Sequence, residues 1–97
     1  MISCTFGMSK NIFTDFEITG HASYSRKGQD IVCAAVSTVS QHTARALEKD
    51  GASVKIEEGY LKVEKIPNNE VSQRFVRELL ETLQDIAQQY PKYINLE

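Results

Sequence analysis

Hydrophobic and polar residues alternate along two segments near the start of the chain. Every second residue from Ile2 to Met8 is apolar, which is the period of a strand with one buried face. A second segment repeats this period, with Asp15 and Glu17 on the polar side. Its core side is predicted to hold Ile12, Thr14, Phe16 and Ile18. The short polar link Ser9-Lys10-Asn11 between the segments predicts a β-hairpin.

The hydrophobic period changes at Asp30. From there apolar and small residues recur at intervals of three and four, as on one face of an amphipathic helix. These positions are Val32, Val36, Val39, Thr43, Ala46 and Leu47. Asp30 is a typical N-cap and Gly51 a typical C-terminal stop, so the helix is expected between them. Gly20 closes the preceding strand, and the polar segment 22–29 is expected to be a loop.

A second hairpin and a second helix follow. The hairpin strands are indicated by apolar pairs on either side of a Glu57-Glu58-Gly59 turn: Val54, Ile56, Leu61 and Val63. The helix begins after Pro67, is capped by Asn68 or Asn69, and stops at Pro91. Its apolar stripe consists of Phe75, Leu79, Leu83, Ile86 and Tyr90. The tail "YINLE" fits either a short strand or a loose end.

The predicted order of elements is strand, strand, helix, strand, strand, helix. Strands that come as sequential hairpins pair with each other, so an antiparallel sheet is expected. Both helices then cover one face of that sheet. The sequence therefore predicts an α+β fold, a two-layer sandwich of β-β-α-β-β-α order.

Composition and charge narrow the functional class. Of the 97 residues, 41% are hydrophobic and 25% charged, which is typical of a globular protein, and we expect one domain over residues 1–97. The net charge is −2, with 11 basic residues scattered among 13 acidic ones, so direct nucleic-acid binding is not expected. No leader pattern is visible, and no apolar run approaches the roughly 20 residues that span a bilayer. We expect a cytoplasmic protein without a direct membrane contact.

The two cysteines are expected to be free thiols, because cytosolic reductants keep thiols reduced. Cys4 alternates with core positions and is expected to be a small buried residue. Cys33 falls in the first turn of the predicted helix, where unpaired N–H groups carry partial positive charge. Such a position favours a thiolate nucleophile. Neither cysteine has a ligand partner at zinc-site spacing, so no metal or cofactor is expected.

A nucleophilic Cys33 needs a base, and the chain offers two histidines. His42 lies nine residues further along the same helix, which at about 100° per residue is nearly the opposite face. His21 follows Gly20 at the end of the second strand, which can lie beside the helix start. A Cys33–His21 dyad is therefore a candidate catalytic pair. Ser37, one helical turn beyond Cys33, is placed to hydrogen-bond the dyad or a substrate.

The residues alone leave other interpretations open. Cys33, followed by two alanines on an amphipathic helix, also fits the more common case of a small core residue. His21 is also suited to be a turn residue with a satisfied ring. Asp30 has two competing uses, as the helix cap and as the group that orients His21.

The run "GHA", the polar loop with Gly28, and the run "DIVCAAVS" together resemble the bacterial ribosomal-processing cysteine protease (Prp) family. The resemblance implies Cys33 as nucleophile and His21 as base. Gly20, Asp30 and Ser37 also match motif positions, which implies supporting or substrate-binding roles.

The resemblance also implies a function. Members of the family are cytoplasmic homodimeric endopeptidases that remove an N-terminal extension from large-subunit ribosomal protein twenty-seven. The cleaved bond follows an aromatic residue, so an apolar pocket is expected near Cys33. The loop is expected to fold over the bound peptide. Its Tyr24, Arg26 and Lys27 are candidates for substrate contact.

Two further functions compete with the protease. The first is a ribosome-associated module that binds the same peptide without cutting it, with Cys33 merely buried. The second is a redox sensor in which Cys33 is oxidised reversibly. The sensor lacks a resolving partner, because Cys4 is expected to face the core.

Overall fold

The computed structural model describes residues 1–26 and 28–97. It contains a five-stranded sheet of order β3-β4-β2-β1-β5 and two helices. The elements are β1 (Ile2–Ser9), β2 (Ile12–Thr19), α1 (Ile31–Lys49), β3 (Ser53–Glu57), β4 (Tyr60–Glu64), α2 (Glu70–Gln89) and β5 (Ile94–Leu96). The predicted α+β class and the order of the first six elements are confirmed.

The tail forms the fifth strand, which the sequence left open. β5 pairs with β1 in parallel, whereas the other neighbouring strands are antiparallel. Ile94 lies opposite Ile2 and is buried with it. The sheet is therefore mixed at this edge, because after α2 the chain runs through β5 in the same direction as β1.

The core lies between one face of the sheet and the two helices. Two rows of apolar side chains cross the strands: Cys4, Ile18 and Leu61, then Phe6, Phe16 and Val63. The helices complete this core with Val32, Val36, Ala44, Leu47, Val76, Leu79 and Leu83. Burial of each large apolar side chain contributes roughly 1.5–3 kcal/mol to stability. The opposite sheet face is polar, and there Lys62 forms ion pairs with Asp15 and Glu17.

The first hairpin contains a β-bulge that corrects the predicted core side of β2. Gly7 pairs with Asp15, but Met8 pairs with Phe13, so Thr14 has no opposite residue. The alternation is therefore displaced by one residue, as a bulge requires. Thr14 is exposed and Phe13 is buried, the reverse of the prediction. Phe13 exchanges backbone hydrogen bonds of 2.9 Å with the buried Gln73 amide of α2.

Both helices begin at side-chain caps. The Asn69 carboxamide accepts a 2.8 Å hydrogen bond from the Ser72 N–H at the start of α2, which decides between the two asparagines. At the other end of α1, Gly51 has a φ of +112°, which favours glycine after a helix. Across the described residues, no helix has the length and apolar character to cross a membrane.

Candidate active site

Asp30 joins the start of α1 to the loop that precedes it. Its Oδ1 accepts hydrogen bonds from the N–H groups of Val32 at 3.0 Å and Cys33 at 2.9 Å. Its Oδ2 accepts from Tyr24 at 2.9 Å and Ser25 at 3.2 Å. The carboxylate is buried, with 8% of the residue exposed. Asp30 is thus a helix cap that also fixes the first half of the loop.

These hydrogen bonds keep the Asp30 carboxylate ionised. Burial is the largest single influence and raises the pKa, because it disfavours the charged form. The four backbone N–H groups together outweigh burial, so the pKa of Asp30 lies below its ordinary value of 3.8. A carboxylate at this point also interacts favourably with the positive end of the helix dipole.

Cys33 is half-buried in the first turn of α1, as the sequence predicted. The backbone N–H of Ala22 donates a hydrogen bond to its Sγ, 3.1 Å away. An N–H group aimed at the sulfur stabilises negative charge there, and the N-terminal end of the helix acts in the same direction. The loop therefore brings its own donor to the candidate nucleophile.

His21 stands at the end of β2, beside the turn between β3 and β4. The Gly20 N–H donates a 2.9 Å hydrogen bond to the Gly59 carbonyl, which ties the two segments together. The exposed His21 ring lies against Gly59, close enough that a β-carbon there would be 2.7 Å from Nε2. Within residues 1–26 and 28–97, no hydrogen bond links this ring to Cys33 or to Asp30.

His21 and Cys33 open onto the same cavity of about 780 Å³ between α1 and the β3–β4 hairpin. Its apolar lining includes Ile18, Val36, Ile56 and Leu61. This lining is the apolar surface near Cys33 that the sequence could not assign to particular residues. Gly20, Asp30 and Ser37 line the cavity too, so the structure brings all five candidate site residues together.

Two serines of α1 also line this cavity. The exposed Ser37 hydroxyl accepts a 3.4 Å hydrogen bond from Gln41 Nε2. Ser40, one turn further, is 1% exposed, and its hydroxyl has no hydrogen-bond partner among the described residues. Sequence reasoning missed Ser40, although its spacing of three from Ser37 and seven from Cys33 places it on the same face.

Of the three loop residues that were predicted to contact substrate, the structure describes Tyr24 and Arg26. The Tyr24 ring packs edge-on against Tyr90 and Tyr93, with centroids 5.5 and 5.2 Å away. This contact anchors the loop to the C-terminal part of the chain. Arg26 donates a 3.2 Å hydrogen bond to the Gln29 side chain. Lys27 lies outside the described residues.

The remaining cysteine and histidine lie apart from the cavity. Cys4 is fully buried in the β1 row of the core, as predicted, and burial raises the pKa of its thiol to about 11. His42 is exposed on α1 and is not part of the cavity wall. Cys33 and His21 are therefore the thiol and imidazole that share a site.

Comparison with known proteins identifies the family of the chain. The family model of the cysteine protease Prp matches residues 1–95. The ribosomal processing protease Prp from Staphylococcus aureus, solved with a covalently linked product peptide, is 26% identical with a TM-score of 0.92, and the match covers 100% of this chain and 98% of that one.

A second structure of the S. aureus protease, in complex with a substrate peptide, is 25% identical with a TM-score of 0.86 and the same coverage. SMU.848 from Streptococcus mutans is 33% identical with a TM-score of 0.83, covering 100% of this chain and 92% of that one. No curated protein matches the chain. Because the family model matches almost the whole length of the chain, this chain belongs to the cysteine protease Prp family.

Proposed function

We propose that this protein is an endopeptidase of one domain, residues 1–97, that removes the N-terminal extension of large-subunit ribosomal protein twenty-seven with a Cys33–His21 dyad. The observation that carries the proposal is the 3.1 Å hydrogen bond from the Ala22 N–H to Cys33 Sγ in a cavity that His21 also lines. The S. aureus structures with bound peptides support a peptide ligand.

The reaction begins with Cys33 as a thiolate. Its sulfur forms a bond to the scissile carbonyl carbon, and the carbonyl oxygen takes the negative charge. The N–H groups of Val32 and Cys33 donate to the Asp30 carboxylate, whereas the Ala22 N–H donates to the sulfur itself. We assign the oxyanion to the Ala22 N–H, because the negative charge that it stabilises passes from the sulfur to the carbonyl oxygen during the attack.

His21 supplies and removes the protons. The imidazolium protonates the departing amine as the peptide C–N bond breaks, which leaves a thioester on Cys33. A water molecule then attacks the thioester carbonyl while His21 accepts its proton. The acid product leaves, and the thiolate is restored. Asp30 acts through the helix start and the loop, since its four hydrogen bonds go to backbone groups.

The resting position of His21 suits control by substrate. Its ring lies against Gly59, in the wall of the cavity that Cys33 also lines. We propose that peptide binding folds the loop over the cavity and orders this ring against the sulfur. Cleavage then requires a peptide that fills the cavity, which suppresses proteolysis of other proteins.

The family resemblance also supports a cytoplasmic homodimer that needs no cofactor. Light scattering of the purified protein measures the oligomeric state, and a mass of one chain contradicts the dimer. Gly20 and Ser37 are proposed to support the site because both line the cavity.

The test is cleavage of a synthetic peptide that spans the extension junction of the host's own ribosomal protein, read by mass spectrometry. We expect one cut after an aromatic residue by the wild type and by Cys4→Ala, and none by Cys33→Ala or His21→Ala. A cut by Cys33→Ala contradicts the nucleophile. Peptide binding with no cut by the wild type contradicts the protease and identifies a peptide-binding module instead.

A further inference from the structure

β3 forms one edge of the sheet, since its only strand neighbour in the described residues is β4. An edge strand carries backbone N–H and C=O groups that no neighbouring strand pairs. In an antiparallel ladder, these groups point alternately toward the partner strand and away from it. The pairing of β3 with β4 therefore decides which residues present free backbone groups.

The β3–β4 register assigns those groups. Glu57 and Tyr60 close a two-residue turn, so they exchange hydrogen bonds with each other. The Gly59 carbonyl, one residue before Tyr60, points to the other side of β4 and accepts a hydrogen bond from the Gly20 N–H at the end of β2. Backbone groups of β4 therefore alternate between β3 and β2. The backbone N–H and C=O groups of Lys55, two residues before Glu57, also point toward β4. Val54 and Ile56 consequently direct their N–H and C=O groups outward.

The outward edge is continuous with the active-site cavity. Ile56 lies opposite Leu61 in the core-facing row, and both residues line the cavity together with Cys33. Ile56 is nevertheless 50% exposed, an apolar side chain at the open end of its row. Free backbone groups and an exposed apolar residue thus meet at the rim of the cavity that holds the nucleophile.

We propose that the substrate peptide binds in an extended conformation to the free edge of β3, as a sixth strand beside Val54 and Ile56. Such strand addition obtains affinity from backbone hydrogen bonds and specificity from alternate side chains. The substrate side chains that face the sheet's core side enter the cavity beside Ile56 and reach toward Cys33. This inference rests on the proposed peptidase activity, because it assigns the binding mode of that substrate.

The edge can be tested by removing one outward N–H. Proline lacks the N–H but is tolerated on an edge strand where that group faces away from the ladder. Ile56→Pro deletes the outward donor, whereas Ile56→Ala shortens the same side chain and keeps it. With the junction peptide, we expect Ile56→Pro to reduce kcat/KM about tenfold more than Ile56→Ala, mainly through KM.

Controls separate binding from folding and from chemistry. The rate of Cys33 alkylation by iodoacetamide and the thermal melt report whether Ile56→Pro keeps the fold and the nucleophile. If that variant does not fold, the wild type is tested with junction peptides N-methylated at one residue each. We expect alternate positions to lose affinity, because only alternate residues of an added strand face β3.

Peptide binding to Cys33→Ala, measured by fluorescence anisotropy, tests the edge independently of cleavage. We expect Ile56→Pro in this background to weaken binding about tenfold relative to Ile56→Ala. Equal binding by the two variants overturns the inference even if the wild type cleaves. A change of oligomeric state in Ile56→Pro, with peptide affinity retained, assigns the edge to a second copy of the chain and also overturns it.

Discussion

The imidazole of His21 and the backbone of Gly59 occupy adjoining space, so that a β-carbon at Gly59 would come within 2.7 Å of Nε2. Gly59 also has a φ of +69°, in the turn between β3 and β4. One glycine therefore serves two requirements, a left-handed turn and room for the candidate base. A substitution of Gly59 affects both requirements. The contribution of backbone strain alone can be measured by substituting another glycine that has a positive φ.

Gly59→Ala is expected to reduce peptide cleavage strongly and to lower the free energy of unfolding only slightly. The added methyl displaces the His21 ring, and the positive φ costs about 1 kcal/mol of folding free energy. Gly51→Ala is the matched control, since its φ is +112° and no atom lies within 4 Å of the added β-carbon. Urea unfolding should show a loss for both variants, larger for Gly51→Ala because its φ lies further from the left-handed region that alanine can adopt, while peptide cleavage falls about tenfold or more only in Gly59→Ala. Equal cleavage by the two variants contradicts a role of Gly59 in placing His21.

Asp30 has two structural functions that substitution can divide. Asp30→Ser keeps an oxygen that caps α1 but cannot also reach the loop N–H groups, and Asp30→Ala loses both functions. We expect Asp30→Ala to lower the free energy of unfolding by about 2 kcal/mol and Asp30→Ser by about half of that. Hydrogen exchange should show faster exchange of the Tyr24 and Ser25 amides in both variants. Protected loop amides in Asp30→Ser would contradict the anchor.

Asp30 also makes stability depend on pH. Its pKa is lower in the folded protein than the ordinary value of 3.8, so the folded state binds the proton less readily than the unfolded state. The stabilisation is complete above the unfolded value and is lost as the pH falls through the folded one. Thermal melts from about pH 6 down to about pH 2 should therefore show a steeper loss of stability for the wild type than for Asp30→Ser. Parallel curves would show that Asp30 does not titrate in this way.

The sequence was most informative where a local pattern determines the structure. Asp30 and the change of period after it indicated the start of α1, and the Glu57-Glu58-Gly59 turn indicated the second hairpin. The period of two could not reveal the bulge at Thr14, because one extra residue reverses the two faces of a strand. The three-residue β5 carried too short a pattern and owes its place to the return of the chain from α2.

The candidate site shows the same difference between local features and contacts that join distant segments. Cys33 was accessible to sequence reasoning because its position in a helical turn is local. His21 was accessible because His42 falls on the opposite helix face, which left the histidine at the end of β2 as the candidate base. The contacts that complete the site join distant segments: Ala22 with Cys33, and His21 with Gly59. The period and spacing of residues do not encode such approaches, which arise only when the sheet brings the β3–β4 turn beside the end of β2.

The two thiols are expected to react very differently. Cys4 is fully buried, and burial raises its pKa to about 11, so at neutral pH it is a protonated and inaccessible thiol. Cys33 is half-buried at the cavity. Iodoacetamide should therefore modify the native protein once, at Cys33, as read by intact mass and peptide mapping. Cys4→Ala should be alkylated at the wild-type rate, Cys33→Ala should resist until it is unfolded, and comparable labelling of Cys4 in the native protein would contradict the burial.

The buried Ser40 hydroxyl has no hydrogen-bond partner within residues 1–26 and 28–97, whereas the Thr43 hydroxyl on the same helix donates a 3.1 Å hydrogen bond to the Val39 carbonyl. Ser40→Ala removes an unsatisfied polar group and raises helix propensity, so we expect the free energy of unfolding to rise by about 1 kcal/mol. Thr43→Ala loses a satisfied hydroxyl and a buried methyl group and should be destabilised by about 1–2 kcal/mol. Urea denaturation of both variants measures the difference. If Ser40→Ala is destabilised as much as Thr43→Ala, the hydroxyl has a partner in solution, and a water in the cavity beside Cys33 is the group that fits, since the cavity wall includes Ser40.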